Sequence, residues 1–393
     1  IWFSIALRCV GEIVLTVASS GIAALLISSG KIAHSRFAIP INVDEDSTCN
    51  IKQGSHLAQL IIKAKLIIWD EAPMTHKYCF EAIDRIFRDI MRFTNIGGNF
   101  RQILPIIPKG TRQDIVNASI SASYLWKFCE VLTLTKSQGD DEEINIKFPE
   151  DLLIKNTGDP LSLIVDSTYP SLLGNMTDHT FFQHRAILAP TNEIVNQLND
   201  YILTLIPGEL KSYLSSDSTC SIEGHLGTPD DVHTLGFLNI ITTSRLLNNE
   251  VKLKVGVPIM LLRNIDQSSR LCNETRLIIT QLGKYVLEAK VISGSNIGQK
   301  VFIPRLSLIP SNKRIPFKFQ RRQFSINVSF AMTINKSQGQ SLKHVDIYLS
   351  QPIFAISRVT SRSGLKILIC DDEINGSTST TNVVYKEIFQ TLT

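Results

Sequence analysis

Two adjacent carboxylates, Asp70 and Glu71, end an abrupt apolar run, Leu66-Ile67-Ile68-Trp69. A buried strand that stops in Asp-Glu can hold a water-coordinated magnesium ion through the first carboxylate. The second then stands beside the water that attacks a γ-phosphate. Charged strand ends are common; the apolar strand before this pair and Ala72-Pro73-Met74 after it single it out. Three other clusters suit the same chemistry. Gly97-Gly98-Asn99-Phe100-Arg101-Gln102 offers Gln102 to sense a γ-phosphate or its attacking water, and Arg101 to contact phosphate or carboxylate. Read alone, it is a glycine turn with polar residues. Ala331-Met332-Thr333-Ile334-Asn335-Lys336-Ser337-Gln338-Gly339 puts Thr, Lys, Ser and Gln side chains at a strand-helix junction, where they can hold phosphates of a nucleotide or a nucleic acid. Read alone, it is a capped surface helix. Ser357-Arg358 and Arg362 come last, with Arg358 placed to act as an arginine finger across a cleft. The phosphate-cradling loop that such sites use, G-x-x-x-x-G-K-[ST], has no match in the 393 residues.

These side chains need elements to aim them. Glu12–Ala18 reads as a buried strand, Ser19-Ser20-Gly21 as a turn, and Ile22–Ser28 as a helix stopped near Gly30. After the acidic pair, Cys79, Ile83, Ile86, Phe87 and Ile90 recur at helical spacing, with Glu81, Asp84, Arg85, Arg88 and Asp89 on the opposite face. Arg185–Ala189 reads as a second buried strand, broken at Pro190 and followed by a helix that Thr191 caps. Strands alternating with such helices predict a parallel α/β sheet with ligands at the carboxyl ends of its strands. From about Glu250 to Pro310 the pattern changes to short β-like runs separated by Gly, Asn and Pro, which predicts a small β insert.

Mean hydropathy is +0.09, with 44% hydrophobic and 19% charged residues, which argues against a largely disordered chain and a membrane bundle. The uncharged stretch Ile13–Gly30 falls short of a membrane span and reads better as strand, turn and helix. Net charge is only +4, yet Ala289–Val345 holds ten Lys or Arg and no Asp or Glu. Such a block suits either a nucleic-acid backbone or a solvated surface. Seven scattered cysteines without a C-x-x-C pair suit a reducing compartment and give no zinc site. No signal or transit peptide is readable, and the start at Ile1 rather than Met suggests a missing N-terminus.

In order and wording these clusters resemble the motifs of the petite-integration-frequency (PIF-type) ATP-dependent DNA helicases of superfamily one, most closely a plant group linked to Helitron elements. "VASSGIAALLISSGKIAHSRFAIPI" is similar to that family's first DNA-contacting motif, "IIWDEAPM" to its Walker B motif and "GGNFRQILPIIPKGTR" to motif III. "RAILAPTNEIVNQLN" resembles motif IV, "FAMTINKSQGQSL" motif V and "ISRVTSRSGLKILI" motif VI, and Leu253–Ile279 resembles the family's inserted domain.

The resemblance implies two RecA-like domains. Domain 1 would be 1–136, a connector 137–177, domain 2 178–370 with the insert at about 236–281, and 371–393 a loose tail. It implies ATP and Mg2+ as cofactors, with Asp70 as the metal ligand. Asp70, Glu71, Gln102, Arg185 and Arg358 would be catalytic, and Lys336, Gln338 and Gly339 would bind nucleotide. Ser20, His34, Ser35, Arg36, Thr191, Asn192, Thr333 and Ser337 would grip DNA, although a satisfied core histidine is the plain alternative for His34. Partners would be single-stranded DNA and duplex junctions, with no membrane, for a monomer in the nucleus or the mitochondrion. Work in DNA repair, recombination and telomere maintenance is implied too.

Departures qualify this. In the family the phosphate loop lies just upstream of the segment that begins here at Ile1, so it is expected to be cut off. The strand before Gly97 is expected to be missing, and the usual Asp is Asn99. An Asn-Met-Arg-Leu segment is missing after Lys136, as is a helix with a Gly-Gln pair between Phe354 and Ala355. The usual Asn-Gly-Thr-Arg is Asn273-Glu274-Thr275-Arg276. A fragment inactive by itself, or a dead DNA-binding remnant, follows from these gaps.

Overall fold

The computed structural model describes residues 7–90, 96–98, 104–105, 107, 110–129, 145–155, 158–219, 238, 241, 246–266, 269, 271–294, 296–310, 319–337, 340, 342–349, 361–370 and 379–381. Two four-stranded parallel sheets are its frame. In the first, β1 (Ile13–Ala18) lies between β2 (Lys31–Ile32) and β3 (Ala64–Asp70), and β4 (Ile96–Gly98) lies beyond β3. The register sets Ala18 beside Asp70, so both strands deliver their carboxyl ends to one edge. β4 corrects the expected gap before Gly97: three residues pair with Ile67–Trp69 through their backbones, which needs only amides and carbonyls in phase. In the second sheet the order is β16 (Ala331–Thr333), β6 (Arg185–Ala189), β17 (His344–Leu349) and β18 (Leu365–Ile369).

Helices cover both sheets. α1 (Gly21–Leu26) follows β1, with Ser20 as its N-cap. α2 (Ala33–Arg36) and α3 (His56–Lys63) precede β3, and α4 (Lys77–Ile90) follows it. Trp69, Phe37, Phe80 and Phe87 interlock in the first core, with Trp69 only 4.6 Å from Phe80 between ring centroids. The expected polar face of α4 holds for Asp84 and Arg88, which pair at 2.8 Å. Glu81 departs from it: it is buried and accepts a hydrogen bond from Ser123 Oγ at 2.6 Å, which satisfies its charge.

Beyond the short β5 (Asn145–Lys147), α5 (Pro160–Thr168) lends Ile164 and Val165 to the second sheet's core, so part of the expected connector is packed into that domain. α6 (His179–Gln183) leads into β6, and α7 (Asn192–Leu205), capped by Thr191, returns along the sheet. β19 (Ser379–Thr381), in the expected loose tail, pairs with β5.

The β-rich part is an antiparallel sheet of seven strands, wider than the segment 236–281. It comprises β8 (Ser216–Thr219), β10 (Pro258–Leu261), β11 (Arg276–Leu282), β12 (Val286–Val291), β13 (Lys300–Leu308), β14 (Phe319–Phe324) and β15 (Ile326–Val328). β7 (Lys211–Leu214) and β9 (Glu250–Leu253) form a separate ribbon. Among the described residues, no helix is long and apolar enough to cross a membrane.

Candidate functional site

The turn after β3 is held rigidly. Glu71 adopts φ +57°, a left-handed conformation that costs a non-glycine residue about 1 kcal/mol, and opens a 3₁₀ turn over Ala72–Met74. Four anchors offset that cost. Trp69 Nε1 donates to Ser19 Oγ at 2.9 Å, and Ser19 Oγ donates to the Glu71 carbonyl at 2.8 Å. Thr75 Oγ1 completes the chain 2.8 Å from Ser19 Oγ, and the Glu71 amide donates to Asp70 Oδ1 at 3.0 Å. Ser20 does two things at once: it caps α1 through Ala23 N and donates to Glu71 Oε2 at 2.7 Å. The Glu71 carboxylate is therefore buried, at 3% exposure, but oriented, while Asp70 remains half-exposed at the strand end.

A second acid meets this edge. Glu274 sits in the turn between β10 and β11 at φ +72°, its amide donating to the Leu261 carbonyl at 2.8 Å. Its Oε2 is buried with no hydrogen-bond partner among the described residues, although the residue as a whole is only part-buried. Burial first, and then the facing Glu71 carboxylate, push its carboxyl up to about 8, with Lys336 and Asn273 pulling the other way. Lys336 lies in the 3₁₀ turn Ile334–Ser337, just past the carboxyl end of β16. Burial lowers the pKa of its ammonium, and Glu274 raises it. Gln340 ties the two turns together, its Nε2 donating to the Glu274 carbonyl at 3.2 Å and to the Lys336 carbonyl at 3.3 Å.

Helix α1 closes against the same insert turn. A β-carbon on Gly21 would stand 3.0 Å from Cys272 Cβ, so any other residue there would require the two elements to give by a few tenths of an ångström. Beside the contact lies a cavity of about 430 Å³ between Ile22, Leu25 and Leu26 on one side and His184, Ile292–Gly294 and Gln340 on the other. Gln340 Oε1 is buried in its wall, also without a partner among the described residues.

Of the expected residues, Asp70, Glu71, Ser20 and Lys336 are thus brought to one cleft. Arg185, the first residue of β6, is engaged elsewhere: its guanidinium lies over the Phe181 ring, 4.4 Å from the centroid, and donates to the Phe181 carbonyl. Ser35 and Asn192 are exposed, and Thr191, exposed as well, accepts the Ile194 amide as a cap. Thr333 is buried, as is Ser337, whose hydroxyl donates to the Ile334 carbonyl at 2.7 Å. His34 Nε2 faces Cys79 Sγ at 3.9 Å, and Arg36 is half-buried. Arg362 forms an exposed pair with Asp151 at 2.9 Å. Arg101, Gln102, Gln338, Gly339, Ser357 and Arg358 lie outside the described residues, as do Asn99 and the expected gaps after Lys136 and Phe354. Neither Glu274 nor Gln340 is marked as functional by a motif in the sequence. Its one signal was the replacement of a turn glycine by Glu274.

Residues 2–145 match the sequence profile of the PIF1-like helicase family, and residues 236–282 match that of the DNA helicase Pif1 2B domain. The human ATP-dependent DNA helicase PIF1 is 22% identical over 379 residues, which is 91% of this chain and 54% of that protein. Its zebrafish (Danio rerio) counterpart is 24% identical over 94% of this chain and 56% of its own length. The chain therefore spans about half the length of these relatives. Among solved structures, Bacteroides Pif1 bound to ssDNA superposes with a TM-score of 0.59 at 18% identity, covering 99% of this chain and 89% of that one. Bacteroides Pif1 in complex with ADP-AlF3 and ssDNA gives 0.58 at 18% identity, covering 96% and 86%. At that identity the likeness is one of fold, that of two RecA-like domains.

Proposed function

We propose that this chain, which carries the PIF1-like helicase family's signature over residues 2–145 and that family's 2B signature over 236–282, is the DNA-gripping, two-sheet body of an ATP-dependent DNA helicase. One observation carries the reading: the strand-end carboxylates Asp70 and Glu71, the insert turn at Glu274 and the Lys336 turn converge on one cleft. ATP fits there on chemical grounds. The orphaned acceptor Gln340 Oε1, in the wall of a partly apolar cavity, suits an amino-bearing base. Magnesium fits as well, because it keeps most of its waters and asks for only one or two carboxylates besides phosphate oxygens. Asp70 would orient that hydrated ion, which would neutralise charge on the phosphates.

The remaining work belongs to the chain's own residues. Glu71, fixed by Ser20, would take a proton from the attacking water, and Lys336 would bring positive charge from the second sheet. Opening and closing of the cleft would step the body along single-stranded DNA, 5′ to 3′ by the family's habit. Arg36 and the exposed Ser35, Thr191 and Asn192 would hold backbone phosphates. The wording of the first motif, VASSGIAALLISSGKIAHSRFAIPI, supports the plant Helitron-linked group. A second reading, a single-stranded-DNA-binding remnant without turnover, is favoured by the lack of any G-x-x-x-x-G-K-[ST] match in these 393 residues.

The grip is tested by fluorescence anisotropy with a labelled oligo-dT strand. Affinity is expected to fall linearly in log–log with added salt. The Asn192→Ala and Ser35→Ala changes are expected to weaken it about three- to tenfold with unaltered melting. Absence of salt-sensitive binding, or binding indifferent to both changes, would remove the DNA assignment.

A further inference from the structure

Two serines stand side by side after β1, and they hold different parts of Glu71. Ser19 Oγ accepts from Trp69 Nε1 at 2.9 Å, donates to the Glu71 carbonyl at 2.8 Å and lies 2.8 Å from Thr75 Oγ1. Those bonds fix the backbone. Ser20 Oγ reaches the carboxylate instead, donating to Oε2 at 2.7 Å, while its cap bond from the Ala23 amide is a long 3.3 Å. Separate hydroxyls thus hold the backbone and the side chain of Glu71, so the second hold can be released without the first.

A serine hydroxyl has one proton to donate. While Glu71 Oε2 takes it, no other acceptor can. Ser20 is half-buried at the edge where β1 and β3 deliver their carboxyl ends. The cavity of about 430 Å³ that Ile22, Leu25 and Leu26 border gives a ligand room along the same helix. A phosphate oxygen arriving at the hydroxyl is an ionised acceptor, as the carboxylate is. Turning the O–H bond about Cβ–Oγ would hand it the proton and leave the oxygen in place for the Ala23 amide. The helix need not move, which matters because Gly21 is already close against Cys272. Glu71, 3% exposed, would keep its place but lose a donor from Oε2. A buried carboxylate that loses a hydrogen-bond donor becomes a stronger base.

We infer that Ser20 is a positioning residue with two exclusive partners, Glu71 and a phosphate oxygen in the cleft, so that phosphate binding there releases the Glu71 carboxylate. The inference rests on the reading of the cleft as a phosphate site. It adds a link from phosphate binding to the strength of the base. The phosphate can belong to a nucleotide or to a DNA strand, and the chemistry at the hydroxyl is the same for both.

A thermodynamic cycle on the full chain tests it, with Ser20→Ala, Glu71→Gln and the double variant. Anisotropy reads labelled oligo-dT in one arm and a fluorescent ATP analogue with Mg2+ in the other. Glu71→Gln leaves Ser20 a neutral and weaker competing acceptor. It is expected to tighten binding about fivefold more in the Ser20 background than in the Ser20→Ala background, since a charge-assisted hydrogen bond is at stake. Removal of the Glu71 charge by itself favours both backgrounds equally, so only the difference counts. Ser20→Thr, which keeps the hydroxyl, is expected to restore that difference. Ser20→Gly replaces Ser20→Ala if loss of the cap lowers the melting temperature, because glycine caps nearly as well. A difference with oligo-dT assigns the phosphate to the strand, and a difference with the ATP analogue assigns it to the nucleotide. Changes that agree between backgrounds to within about twofold in both arms would overturn the inference and leave the cleft reading standing. Absence of binding by the parent in both arms would remove the cleft reading and this one together.

Discussion

Glu274 is the residue on which the cleft's electrostatics turn. It holds a left-handed backbone that glycine adopts freely, one of its oxygens is buried, and the Glu71 carboxylate raises its pKa further. In the folded chain its carboxyl titrates at about 8, against an ordinary 4.5 when unfolded. Between those values the folded state keeps a proton that the unfolded state has lost, so stability from this group declines as pH rises from about 5 to 8. With only one oxygen fully buried, the decline should be on the order of 1–2 kcal/mol. Melting temperature measured across that range is expected to fall, and Glu274→Gln to flatten the curve. Glu274→Gly should raise stability at pH 8 by about 1 kcal/mol or more, by relieving both the backbone strain and the buried charge. An unchanged pH slope in Glu274→Gln would show that its carboxyl is solvated.

At the scale of elements, strands rich in Ile, Leu and Val were legible because burial on both faces leaves a near-continuous apolar run. Ile13–Ala18, Ala64–Asp70 and Arg185–Ala189 all stand where the sequence puts them. Thr191 announced its helix by its capping hydroxyl. The insert's breadth was hidden because its strands bury polar groups. β14 reads Phe-Gln-Arg-Arg-Gln-Phe, yet Arg321 and Gln323 are fully buried. Arg321 grips both oxygens of Asp217 and donates to the carbonyls of Leu238, Ile241 and Leu247. No periodicity announces such a clamp. Arg321→Met should cost about 3–5 kcal/mol, since Asp217 is left buried and unpaired, whereas Arg321→Met/Asp217→Leu should cost less than the single change. Calorimetric melting of the two variants checks the order, and a double variant less stable than the single would contradict it. In the cleft, Asp70, Glu71 and Lys336 were legible by type and position. Glu274 and Gln340 were not, because their place depends on how an insert turn folds back onto the first sheet.

Over the whole molecule, gripping DNA and hydrolysing ATP make different demands on these 393 residues. A grip built from dispersed polar and basic contacts needs only the two sheets, the insert and their cleft. Phosphoryl transfer needs donors aimed at the β- and γ-phosphates, and removing even one such donor lowers rates about 10²–10³-fold. The carboxylates are in place at Asp70 and Glu71, but no G-x-x-x-x-G-K-[ST] loop occurs in the sequence. The decisive measurement is ATP turnover by purified Ile1–Thr393, with and without oligo-dT, alongside strand binding by the same preparation. Salt-sensitive binding with turnover no higher than that of Glu71→Gln is the expected result. DNA-stimulated turnover that Glu71→Gln abolishes would contradict it.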